Sequence, residues 1–102
     1  MQTEKILVQA PRGIPPKMVT DYVKRCLAAL PATRAALDRS DYVHMRIFGH
    51  RLRGSGGAYG MLALTEIGSA IEKAALEADT TELRLQVAAL EACLNRMEIL
   101  SD

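Results

Sequence analysis

Tryptophan is absent from this 102-residue chain, phenylalanine occurs once and tyrosine three times. So small an aromatic complement gives little support to a surface that stacks nucleic-acid bases. Cysteine occurs twice, at Cys26 and Cys93. The two lie far apart, without the close spacing of a zinc site or a CxxC redox pair. Each falls in an apolar helical pattern, Cys26 beside Val23, Leu27 and Leu30, and Cys93 beside Leu90 and Leu94, which predicts buried free thiols. Long hydrophobic runs are missing too. No stretch is long enough for a membrane span, and Ile6-Leu7-Val8 is too brief for a secretion signal, so a cytoplasmic location is the expectation.

What is present fits one globular domain over 1–102, with 49% apolar and 25% charged residues. The net charge is +1, but unevenly spread. Residues 1–60 hold ten Lys/Arg against four Asp/Glu, and residues 61–102 hold three against eight. This asymmetry can orient an encounter with an acidic partner, yet it is too dispersed to imply nucleic acid.

Residues 1–15 contain Pro11, Gly13 and Pro15, which forbid a continuous helix and predict a lead-in segment. From Pro16 the residues Met18, Val19, Tyr22, Val23, Cys26, Leu27 and Leu30 recur at helical spacing, with proline tolerated in the first turn. Pro31 leaves two readings open, a kink or a second short helix through Ala35, Ala36 and Leu37. Ser40 or Asp41 caps the next helix, which starts its apolar stripe at Met45 and weakens near Gly56 to Gly60. A third helix carries Leu64, Ile67, Ile71, Ala74 and Ala75 to about Ala78, with Gly68 permitting close approach of a neighbour. Asp79 and Glu82 suggest a reciprocal cap for a closing helix bearing Leu83, Val87, Leu90, Leu94 and Met97. Short connections between amphipathic helices predict an all-α fold, an up-and-down four-helix bundle over 16–102 behind the lead-in segment.

The run from His50 to Gly60 carries the chemistry. At about 100° per residue, Arg46, His50, Arg53, Gly54 and Gly57 share one stripe, while Met45, Phe48, Leu52, Ser55, Gly56 and Tyr59 project toward the core. Phe48, Tyr59 and the methionines 18, 45, 61 and 97 are read as packing residues. His50 therefore faces water, and an exposed imidazole keeps one ring nitrogen free as a nucleophile. A phosphoryl group accepted there spreads charge over its oxygens, which Arg53, one turn away, can stabilise; Arg46 and Arg51 are weaker candidates. A glycine inside an exposed helix costs about 1 kcal/mol relative to alanine, so a cluster of them needs a reason. Gly54 and Gly57 read as room for an approaching protein, and Gly56 as helix packing. His44 lies about 120° from His50, too far round the helix for a shared metal site. Ser55 lacks the histidine and carboxylate of a nucleophilic triad.

These residues resemble the histidine-containing phosphotransfer (HPt) domains of two-component relays, whose motif reads His-x-Leu-Lys-Gly-Ser/Ala followed by a glycine. His50, Leu52, Gly54, Ser55 and Gly60 fall in register, and Arg53 replaces the usual lysine, a planar fork in place of a point charge. Ile14-Pro15, Asp41, Phe48-Gly49, Thr65-Glu66-Ile67-Gly68 and Ala70-Ile71-Glu72 extend the resemblance along nearly the whole chain. It implies a helical bundle with His50 as phosphoacceptor, charged by a hybrid or sensor histidine kinase and discharged to an aspartate of a response-regulator receiver domain. No cofactor or metal is expected on this chain, with Mg²⁺ brought by the receiver, and the residues already discussed give no expectation of a nucleic-acid or membrane partner. The chain has no ATP-binding region and is expected to depend on partners for both steps. Arg46, Ile47, Arg51, Gly54 and Gly57 are the expected partner contacts. A reading from another class is a non-catalytic domain that uses the same face to bind and inhibit a kinase or receiver.

Overall fold

The computed structural model describes residues 4–100; the ends of the expected lead-in and bundle lie outside the described residues. In order come strand β1 (Ile6–Gln9), helices α1 (Pro16–Asp38), α2 (Tyr42–Ala58), α3 (Leu62–Leu76) and α4 (Thr80–Arg96), and strand β2 (Met97–Leu100). The fold is an all-α four-helix bundle with a small strand pair at its chain ends.

One device makes all three interhelical turns. Two residues past the ends of α1, α2 and α3 stands a residue with positive φ, Ser40 at 58°, Gly60 at 79° and Ala78 at 52°. The next residue's N–H then reaches back to a carbonyl of the last turn: Asp41 to Ala36, Met61 to Gly56 and Asp79 to Ala74, at 2.8–2.9 Å. This bonding satisfies carbonyls that a helix end leaves orphaned and reverses the chain within a few residues. At two turns that returning residue also caps the following helix. Asp41 accepts from the His44 N–H at 3.0 Å, and Asp79 from the Glu82 N–H at 3.1 Å. The reciprocal half of the second cap does not form: the Asp79 N–H already bonds the Ala74 carbonyl, and the Glu82 carboxylate accepts from Gln86 Nε2.

Pro31 sits inside a continuous α1. It lies on the exposed side, so the carbonyl that loses its donor can turn to water. Met45, Leu64, Ile71, Leu83, Leu90 and Leu94 are fully buried between the helices. Phe48, Tyr59 and Met97 are half-buried against this core, and Met61 is buried. Met18, expected to pack, is 48% exposed.

The strand pair corrects one expectation: Met97 begins β2 rather than continuing α4. The lead-in segment contributes β1. β1 and β2 run parallel, with Ile6 opposite Met97 and Val8 opposite Ile99. Val8 is buried and the other three are half-buried against the core, so this two-stranded ladder is held by one apolar face. Among the described residues no helix is long and apolar enough to cross a membrane.

Candidate functional site

The site is built by the contact of α2 with α3. A Cβ on Gly49 would lie 2.6 Å from the Glu72 nitrogen and 2.8 Å from the Gly68 carbonyl oxygen. One on Gly68 would lie 2.5 Å from the Arg53 nitrogen, and one on Gly56 would lie 2.8 Å from the Leu64 Cβ. Only glycine permits so close an approach. The expected packing roles of Gly56 and Gly68 hold, and Gly49 joins them. Thr65 Oγ1 donates to the Arg53 carbonyl at 3.0 Å, a further tie between the helices.

That approach sets Glu72 of α3 beside His50 of α2. Glu72 Oε2 lies 3.2 Å from His50 Nδ1, and Glu72 Oε1 lies 3.3 Å from Arg53 Nη1. Arg53 Nη2 is in turn 3.4 Å from His50 Nδ1. The His50 side chain is 61% exposed and the Glu72 side chain only 19%. Among the described residues no hydrogen-bond partner engages Nε2 of His50. The place of Glu72 beside His50 depends on helix-to-helix contact, which spacing along one helix does not report.

Arg46, Arg53, Gly54 and Gly57 are all exposed along with His50. A Cβ on Gly54 would meet nothing within 4 Å, whereas one on Gly57 would come 3.3 Å from Thr65 Oγ1 of α3. Ile47 and Arg51 turn toward α1 and line a shallow hollow with Ala29, Ala32, His44 and Phe48. Ile47 is 38% exposed there.

Behind the glycine run, α1 holds α2 through aromatic and hydroxyl contacts. The Tyr22 and Tyr59 rings stack with centroids 4.3 Å apart, and the Tyr22 and Ser55 hydroxyls share a hydrogen bond of 2.5 Å. Ser55 is thereby engaged on the packing side. Burial pushes the Tyr22 phenol well above its ordinary range. Burial also raises both thiols, the half-buried Cys26 and the buried Cys93, which are free as expected. Among the described residues no three His, Cys, Asp or Glu side chains gather as metal ligands would.

The sequence model of the Hpt domain family matches residues 17–100, spanning all four helices and the histidine stretch. The chain belongs to the Hpt domain family. Hpt domains act in phosphotransfer within two-component relays, where they interact with receiver domains and kinases. No curated protein and no solved structure matches the chain.

Proposed function

We propose that this Hpt domain carries a phosphoryl group on His50, exchanging it with an aspartate of a response-regulator receiver domain after charging by a hybrid or sensor histidine kinase. The observation that carries the reading is the Glu72 carboxylate 3.2 Å from His50 Nδ1. A carboxylate there accepts a hydrogen bond from Nδ1–H, and the neutral ring then keeps its lone pair on Nε2. This is the logic of an oriented histidine: one nitrogen is held so that the other reacts.

In the transfer, the Nε2 lone pair attacks phosphorus as the bond from phosphorus to the aspartyl oxygen breaks, and the carboxylate leaves with the electron pair. The Nδ1 proton stays on the ring, so none is exchanged with solvent. Arg53 lies near enough to place guanidinium N–H groups on the peripheral phosphoryl oxygens, and positioning plus charge stabilisation supply most of the catalysis. The receiver supplies its own Mg²⁺. Gly54 leaves open the surface one turn from His50 that the partner must approach, with Arg46 and Gly57 along its edge and Ile47 and Arg51 toward α1. On this reading the domain is cytoplasmic.

The test is incubation with phosphorylated receiver domains and assay for acid-labile, base-stable label. Label on the wild type and none on His50→Gln is the expected result. Partner binding without any label, and unchanged in His50→Ala, would overturn this reading in favour of an inhibitory interaction domain.

A further inference from the structure

His50 Nδ1 has two suitors of opposite demand. Glu72 Oε2, at 3.2 Å, can only accept a hydrogen bond, whereas Arg53 Nη2, at 3.4 Å, can only donate one. A neutral imidazole has one N–H, so Nδ1 either carries the proton and donates a hydrogen bond to Glu72, or lacks it and accepts one from Arg53. The first state leaves Nε2 unprotonated. The second places the proton on Nε2 and removes the lone pair that attack at this atom requires.

We infer that Arg53 is a positioning residue that holds a fraction of the resting His50 in the unreactive tautomer, and that its withdrawal to an incoming phosphoryl group releases the ring to Glu72. The inference rests on the phosphotransfer reading only for its consequence; the competition itself is a property of the resting domain. Arginine is what makes it possible. Its fork spans both partners at once, Nη1 on Glu72 Oε1 at 3.3 Å while Nη2 lies against the ring nitrogen. A lysine ammonium is a single point charge and has no second nitrogen to hold against the ring.

The sequence of events follows from charge. Arg53 is 46% exposed, so it is free to turn outward, and a phosphoryl group offers it more negative charge than a neutral ring nitrogen does. When Arg53 moves to the phosphoryl oxygens, Glu72 is left as the remaining partner of Nδ1. The proton settles on Nδ1, and Nε2 gains its lone pair as the phosphorus arrives. The same residue thus restrains the nucleophile at rest and stabilises the group being transferred, so reactivity is coupled to the presence of a phosphorylated partner.

The experiment is long-range ¹H–¹⁵N correlation of the His50 ring in the isolated domain, followed to alkaline pH until the ring ¹⁵N shifts are constant. The ¹⁵N shifts give the ratio of the Nδ1–H to the Nε2–H tautomer without any phosphotransfer. In Arg53→Met the ratio should rise by about threefold, the effect of losing one weak hydrogen bond. In Glu72→Met it should fall below the wild-type value. Arg53→Lys should behave as Arg53→Met, since the fork is lost while the charge is kept. A ratio unchanged in Arg53→Met, or shifted equally by Arg53→Lys and by an exposed-charge control, Arg84→Met, overturns the inference. Failure of labelling in the assay above would leave these shifts intact, so the two readings fail separately.

Discussion

Gly49 and Gly68 face each other so closely that a Cβ on either would lie 2.8 Å from the other's carbonyl oxygen. This contact sets the distance between α2 and α3, and so the reach of Glu72 to His50. Stability and the site's geometry share one cause.

Gly68→Ala should therefore destabilise the domain although alanine is the better helix former. The added methyl would meet the Arg53 backbone nitrogen at 2.5 Å, and backbone cannot swing aside. Overpacking of this kind costs about 1–3 kcal/mol, more than the roughly 1 kcal/mol gained in helix propensity. Urea unfolding followed by circular dichroism would show a lowered midpoint. The same substitution should also slow phosphotransfer, through the displaced Glu72.

Gly54→Ala should do the opposite to stability, because a Cβ there meets nothing within 4 Å. The gain is up to about 1 kcal/mol. A long side chain at the same place, as in Gly54→Gln, should keep the helix and slow transfer from a phosphorylated receiver, since it occupies the approach beside His50. Thermal melts and transfer rates on the two variants separate the effects.

Removing the carboxylate that holds the ring should slow phosphotransfer while leaving the phosphoacceptor in place. For Glu72→Ala a loss of about tenfold corresponds to roughly 1.4 kcal/mol, within the range for one charge-assisted hydrogen bond. Rapid-quench transfer from a phosphorylated receiver would measure it. Circular dichroism should be unchanged, because the Glu72 side chain is not part of the apolar core.

Tyr22 gives a pH dependence with a definite sign. Burial raises its folded pKa above the value of about 10 that it has when unfolded. Once pH exceeds the unfolded value, the unfolded chain loses the phenolic proton while the native state keeps it. Stability that is fully present below about pH 10 is then lost as pH rises toward the folded pKa. Tyr22→Phe removes this contribution, so its stability should fall less steeply above pH 10 than that of the wild type. At neutral pH the variant should be less stable by about 1 kcal/mol, for the lost bond to Ser55.

Much of this was legible in the residue order, for local reasons. The four apolar stripes report helices because burial on one helix face imposes a short period, and Asp41 and Asp79 mark helix starts because their side chains cap neighbouring N–H groups. The exposure of His50 and the open space at Gly54 follow from angles round a single helix. What escaped depends on distant residues meeting. Ile6 and Met97 pair across almost the whole chain, and nothing near either announces the other. Glu72 reaches His50 only across the glycine contact, and Pro31 is tolerated only because it faces solvent. Gly57 and Arg51 share a helix with His50 yet turn to different neighbours, a division set by where α1 and α3 lie.

The most direct test of the account is the chemical nature and position of the phosphoryl label. The domain would be charged by a phosphorylated receiver, treated separately with acid and base, and mapped by mass spectrometry under alkaline conditions. The expected result is a base-stable, acid-labile phosphoryl group on His50, absent from His50→Gln while that variant keeps its fold and melting temperature. Label on another residue, or label that persists in His50→Gln, would contradict it.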